Sequence, residues 1–286
     1  MKVTILGCGG SAGVPMLGGE DGRGIWGQCD PNEPRNIRSR ASVFIRMDDG
    51  EGILVDTGPD IRAQLLANGI SAFRSIFFTH AHADHIAGLD EVRGINRTIG
   101  QPITAYATPS VLEEVQTRFN YVFQPWTTAP HFFRAVVEAQ PVPLHGDVVM
   151  SGYKISLFEQ NHGRIPSGGL RCGDFAYSTD TVELPEASFD VLAGVDTWIV
   201  DCFQKEPHSA HAWLERVLEW KERVQPRRLI LTHLGPDMDW AWMRNTLPAG
   251  VEAAYDGLSF TLPDPENASR QHWAVVLPDK PYHWAM

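Results

Sequence analysis

The chain has 286 residues, 43% of them apolar, and a formal net charge of -11, the composition of a soluble globular protein with a sizeable core. Such an acidic balance lacks the broad basic footprint from which binders of structured nucleic acid gain affinity. A small anion held at bound cations stays compatible with it, because the cations dominate the local field. Four scattered cysteines, Cys8, Cys29, Cys172 and Cys202, form no C-x-x-C pair, which implies reduced thiols and a cytoplasmic setting. The apolar run after Met1 is too short for a signal peptide, and no stretch is long enough to span a bilayer.

In chain order, Val3–Leu6, Ser42–Arg46 and Ile53–Val55 read as strands, Ile61–Ala67 as a short helix and Ser75–Phe78 as a buried strand. Ile103–Ala105 continues as a strand, and Ser110–Phe119 has helical spacing of its apolar residues. Val148–Met150, Ile155–Phe158, Phe175–Tyr177 and Trp198–Val200 are further strands, Ala210–Val224 a second amphipathic helix, and Leu229–Leu231 another strand. The sequence predicts a last strand pair, Glu252–Ala254 with Leu258–Thr261, turned by Asp256-Gly257. Residues 263–286, rich in proline and aromatics, read as an irregular C-terminal extension of a single domain over 1–286. Strands followed by mixed strand and helix units, twice over, predict an α/β protein of two packed sheets with helices outside.

The strongest chemical signal is T-H-A-H-A-D-H, Thr79 to His85, directly after a buried strand. Imidazole nitrogen and carboxylate oxygen suit zinc, manganese or iron. In extended chain alternate residues point the same way, so His80 and His82 can grip one ion while Asp84 and His85 reach a second. Gly88 then lets the chain leave without crowding. Two ions need more ligands, and three strand ends offer them: His162 after Ile155–Phe158, Asp180 after Phe175–Tyr177 and His233 after Leu229–Leu231. Loops beyond the ends of a rigid sheet can converge, and Asp180 is placed as the carboxylate between the ions. Two divalent ions per chain, Zn²⁺ or Mn²⁺, are the expected cofactors.

The motif T-H-x-H-x-D-H followed by a later histidine, an aspartate and a final histidine resembles the metallo-β-lactamase superfamily, over roughly Met1 to Leu262. That resemblance implies a four-layer αββα sandwich with a binuclear site at one edge. Gly7–Pro15 (G-C-G-G-S-A-G-V-P), Arg38–Ser42 (R-S-R-A-S), Val55–Asp60 (V-D-T-G-P-D) and Tyr255–Gly257 (Y-D-G) resemble the branch containing the cyclic-phosphate phosphodiesterase of the carbon–phosphorus lyase pathway. The tRNA 3′-processing nucleases and a pyrroloquinoline quinone biosynthesis protein are similar to that branch. The phosphodiesterase has an additional structural zinc on clustered cysteines and a histidine. Here I-W-G-Q-C-D-P offers only Cys29, and Gly235 stands where the histidine is expected, so the resemblance implies that this zinc is absent and that the substrate has drifted.

The same resemblance implies that Asp56 orients a histidine ligand; from the residues alone it could equally cap the turn before Gly58. It also implies a general acid within Asp201–His211, for which His211 fits better than His208. Asp84 stands beside them as ligand and catalytic candidate. Arg38 and Arg40 could hold a substrate phosphate through guanidinium forks or be a solvated surface pair. The glycines of Gly7–Gly13 could cradle a phosphate or simply make a tight turn. The expected function is hydrolysis of small cyclic or nucleotide-type phosphodiesters, a hydroxide shared by the two ions attacking phosphorus. The alternatives are a thioester, lactone or β-lactam hydrolase on the same site, and a non-catalytic member that binds a metabolite or serves cofactor biosynthesis. The expected partner is a small anionic substrate, with neither structured nucleic acid nor a membrane; the oligomeric state, a homodimer included, stays open.

Overall fold

The computed structural model describes residues 1–125 and 134–265; most of the expected C-terminal extension, 266–286, lies outside the described residues. The first half contains β1 (Lys2–Gly7), β2 (Ser42–Arg46), β3 (Gly52–Val55), α1 (Ile61–Ala67), β4 (Ser75–Phe77), α2 (Ala83–Ile86), α3 (Arg93–Ile99), β5 (Ile103–Ala107), α4 (Pro109–Arg118) and β6 (Val137–Pro141). The second contains β7 (Gly146–Met150), β8 (Tyr153–His162), β9 (Ile165–Cys172), β10 (Phe175–Ser178), α5 (Glu186–Leu192), β11 (Thr197–Asp201), α6 (Leu214–Val224), β12 (Arg228–Thr232), α7 (Trp240–Thr246), β13 (Val251–Ala253) and β14 (Ser259–Thr261). They form two seven-stranded sheets, ordered β14-β1-β2-β3-β4-β5-β6 and β13-β12-β11-β10-β9-β8-β7.

Alternation along the strands dictates the layering. In β1 to β3, Val3, Ile5, Val43, Ile45, Ile53 and Val55 enter the core shared with the second sheet. Their neighbours Leu6, Phe44 and Leu54 face the opposite way, into a core closed by α1, α3 and α4. On the far side, Phe189 and Leu192 of α5 and Val217 and Trp220 of α6 cover the second sheet. Helices therefore flank both sheets, as the αββα expectation required. Because both faces are covered, these strands read as near-continuous apolar runs.

Three readings need correction. β13 and β14 are not a hairpin: β13 pairs with β12 in one sheet and β14 with β1 in the other. Tyr255–Gly257 is instead the crossing between sheets, held by Asp256, whose carboxylate accepts Cys8 N–H at 3.0 Å and Ser39 N–H at 2.8 Å. Helix α6 starts at Leu214 rather than Ala210. The preceding residues bond elsewhere: Ala212 N–H donates to Thr181 and its carbonyl accepts from Phe203. Lastly, β9 escapes pattern reading because Pro166, Gly168 and Gly169 interrupt it. The glycines have a packing reason, since a Cβ on Gly169 would strike the Phe158 ring.

Candidate metal centre

The expected ligands gather at or just beyond β-strand ends, with Asp84 and His85 carried by α2. His80 and His82 follow β4, His162 closes β8, Asp180 follows β10 and His233 follows β12. β3 and β4 are parallel, as are β10, β11 and β12, so their C-terminal ends open on one edge. The turns there are tight. Asp56, Asp180 and His233 have φ of 64°, 53° and 55°, three of the five non-glycine left-handed residues among those described. Such conformations cost of order 1–3 kcal/mol and collect at functional sites. α2 is pressed onto the chain between β3 and α1 by two glycines: a Cβ on Gly88 would collide with the Gly58 carbonyl, and one on Gly58 with that of Asp84.

The side chains resolve into two groups that share one residue. His80, His82, His162 and Asp180 have ligand atoms within 4.8 Å of one another, and so do Asp84, His85, Asp180 and His233. Asp180 offers one oxygen to each. Its Oδ1 is 3.8 Å from His80 Nε2 and 3.5 Å from His162 Nε2. Its Oδ2 is 3.1 Å from His85 Nε2 and 3.4 Å from His233 Nε2. Asp84 Oδ2 stands 3.3 Å from His85 Nε2, and His82 Nδ1 3.3 Å from His162 Nε2.

Supporting contacts decide which nitrogen faces inward. His85 Nδ1 lies 2.7 Å from Asp56 Oδ2, and Asp56 in turn accepts the Thr79 N–H and hydroxyl. That hydroxyl is therefore free to accept from His80 Nδ1, 3.0 Å away. His162 Nδ1 is 2.7 Å from the Ala210 carbonyl. Each contact protonates Nδ1 and turns the Nε2 lone pair to the centre, the usual support of a metal-binding histidine. Burial opposes ionisation of Asp180, but the adjoining His233 and His85 outweigh it and hold the carboxyl well below its ordinary range. Burial, then the neighbouring His85, holds His80 well below the usual histidine value, and burial holds His233 below it against the pull of Asp180 and Asp201. In His85 burial is overcome by Asp180 and Asp56, which raise it well above; an incoming cation would have to displace that proton.

Among the described residues the buried nitrogens His80 Nε2 and His233 Nε2 have no hydrogen-bond partner, and His85 Nε2 faces only the carboxylate oxygens of Asp180 and Asp84. Orphaned buried nitrogens are costly, and imidazole nitrogens converging on one ionised carboxylate are what a pair of divalent cations would satisfy. The donor set, five histidines and two aspartates, fits zinc and manganese alike.

The other candidates separate. His211 is buried, its Nδ1 2.9 Å from Asp201 Oδ2, and its ring stacks on His233 at 4.6 Å between centroids. His208 lies further out, with Nδ1 accepting the N–H groups of Ala210 and His211 at 3.2 Å each. Asp201 lies outside the residues that the sequence motifs mark, although it ends a buried strand much as Asp56 follows one, and that is the signal in the sequence that points to it. It also accepts the Thr181 N–H and completes a third group with His211 and His233. Arg38 corrects an expectation. It is 2% exposed, and its guanidinium donates to the carbonyls of Gly235 and Met238 and to Asn36 Oδ1. Buried in those bonds, it clamps the loop after His233 and cannot meet a substrate phosphate. Its Nη1 is also 3.9 Å from Cys29 Sγ. Arg40 is half-buried, pairs with Asp60 at 2.9 Å, and lines a cleft together with Asp84. Gly10 lets its loop approach Phe203, beside His233: a Cβ there would lie 2.8 Å from Phe203 Cε2. For the Gly7–Gly13 segment the structure therefore supplies a packing reason.

Two packed sheets, flanking helices and a histidine–aspartate edge define a metallo-β-lactamase fold. The family model described as the β-lactamase superfamily domain matches residues 52–234, and the chain belongs to that superfamily. A new diphosphatase from the PhnP family is 32% identical in its crystal structure, superimposes with a TM-score of 0.81, and covers 92% of this chain and 98% of that one. Zinc-bound PqqB from Methylobacterium extorquens shares the fold at TM-score 0.73 and 20% identity, over 92% of this chain and 100% of that one. An octanoyltransferase of Porphyromonas gingivalis is 28% identical over 264 residues, 90% of this chain and 51% of that protein. The chain spans about half the length of the curated relatives it matches. No helix among the described residues is long and apolar enough to cross a membrane.

Proposed function

We propose that this protein is a binuclear-metal-dependent phosphodiesterase acting on small anionic phosphodiesters. One observation carries the reading: Asp180 turns one carboxylate oxygen to each of two histidine groups. His80, His82 and His162 would hold one ion, Asp84, His85 and His233 the other, and Asp180 both. When bound, the ions supply an acidified water at neutral pH and a positive centre for phosphoryl oxygens. Asp56 keeps His85 in register, and Thr79 links that support to His80. His211, its Nδ1 against Asp201, has Nε2 left to protonate the departing oxygen as the ester bond breaks. The similarity to a diphosphatase supports phosphorus chemistry, and the net charge of -11 speaks for a small substrate over a folded RNA.

The assay measures bound metal and compares hydrolysis of bis(p-nitrophenyl) phosphate, nitrocefin and an acyl thioester, with zinc and manganese supplied in turn. The expected result is close to two ions per chain and preferential phosphodiester turnover. A single ion after reconstitution overturns the binuclear assignment. Thioester turnover without phosphodiester turnover moves the activity to acyl chemistry, consistent with the octanoyltransferase relative.

A further inference from the structure

A cleft of about 460 Å³ runs up to Asp84 from outside the metal centre, with Met16, Leu17 and Pro59 among its walls and Arg40 beside them. Met16 and Leu17 belong to a small hairpin in which Met16 and Ile25 exchange backbone hydrogen bonds of 3.0 and 2.8 Å. Leu17 is 98% exposed and contributes nothing to the core. A lone exposed leucine is ordinary, but this one borders a cleft that ends on a metal-ligand candidate. The cleft also holds a cation. Arg40 is steered by Asp60, which accepts its N–H and pairs with Nε, both at 2.9 Å. No acceptor among the described residues takes its two terminal nitrogens.

We infer that this cleft is the subsite for the organic group of the substrate ester: an apolar ring or alkyl group laid against Met16, Leu17 and Pro59, with a further negative charge on it meeting Arg40. The inference rests on the phosphodiesterase reading, since Asp84 joins the cleft to the centre that takes the phosphoryl oxygens. Covering roughly 55 Å² of apolar surface at about 25 cal/mol per Å² corresponds to about a tenfold gain in affinity.

Binding tests this without turnover. Methylphosphonate, phenylphosphonate and 4-carboxyphenylphosphonate are titrated calorimetrically into zinc-loaded protein, wild type and variants. In the wild type the phenyl compound should bind about tenfold more tightly than the methyl compound, and the carboxyphenyl compound more tightly still. Leu17→Ser, at a position too exposed to unfold the chain, should bring the phenyl-to-methyl ratio towards one. Arg40→Gln should remove the advantage of the carboxylate. Leu66→Ser, a second exposed leucine (67%) on α1, should leave both ratios as in the wild type. Equal binding of phenyl and methyl compounds, or a ratio indifferent to Leu17→Ser, overturns the subsite while leaving the metal centre intact. A carboxylate advantage that survives Arg40→Gln overturns the part given to Arg40. Failure of every phosphonate to bind overturns the phosphodiesterase reading and the subsite with it.

Discussion

The two halves of the candidate metal centre share Asp180 but are built differently. In the Asp84–His85–His233 half, His85 and His233 are buried, and His85 is held by the buried carboxylate of Asp56. In the His80–His82–His162 half, His82 is exposed, and the supports are a threonine hydroxyl and a main-chain carbonyl. Carboxylate support raises imidazole basicity more than a neutral acceptor does. The first half should therefore hold its cation more firmly, and the second should surrender it first to a chelator.

The largest test removes what the halves share. Asp180→Ala should lower bound metal to one ion or fewer per chain and drop phosphodiester hydrolysis to background, measured by elemental analysis beside an assay. Retention of both ions would deny Asp180 its shared role. Next comes His211→Ala, which lies beside both halves. A positioned acid contributes typically about 10²–10⁴-fold, so hydrolysis of alkyl and cyclic-ribose phosphodiesters should fall by about that range. Esters of p-nitrophenol, whose leaving group departs unaided, should suffer much less, and metal content should stay constant. If His208→Ala gives that leaving-group-dependent loss instead, the acid is the other histidine.

Asp56→Asn tests the difference between the halves directly. Loss of such support costs about 10–100-fold in metal affinity, and the loss should fall on the Asp84–His85–His233 half, narrowing or reversing the order of release seen in a chelator titration. An unchanged order would mean that burial, not the carboxylate, distinguishes the two. Thr79→Val is the smallest change, isosteric but without the hydroxyl between Asp56 and His80. It should weaken both ions by about tenfold or less, and an effect on one ion alone would show that Thr79 does not couple the halves.

Legibility in the sequence followed the range of the interactions. Strands such as Ser42–Arg46 and helix Ile61–Ala67 have the predicted bounds, because local alternation and helical spacing suffice there. The β9 strand was hidden by glycines whose purpose, space for Phe158, exists only between strands. The apparent hairpin at Tyr255–Gly257 failed for a related reason: both partners, β12 and β1, lie far away in the chain.

The amino-acid sequence by itself determined which residue types could form a metal centre, because imidazoles and carboxylates recur at strand ends whatever the packing. The joining of His162 to the first group and His233 to the second, the partnership of His211 with Asp201, and the burial of Arg38 against Gly235 and Met238 were decided by tertiary structure alone. The reason is geometric: a ligand set or a buried guanidinium is specified by distances of about 3–4 Å, and residues far apart in the chain acquire such distances only when the two sheets pack.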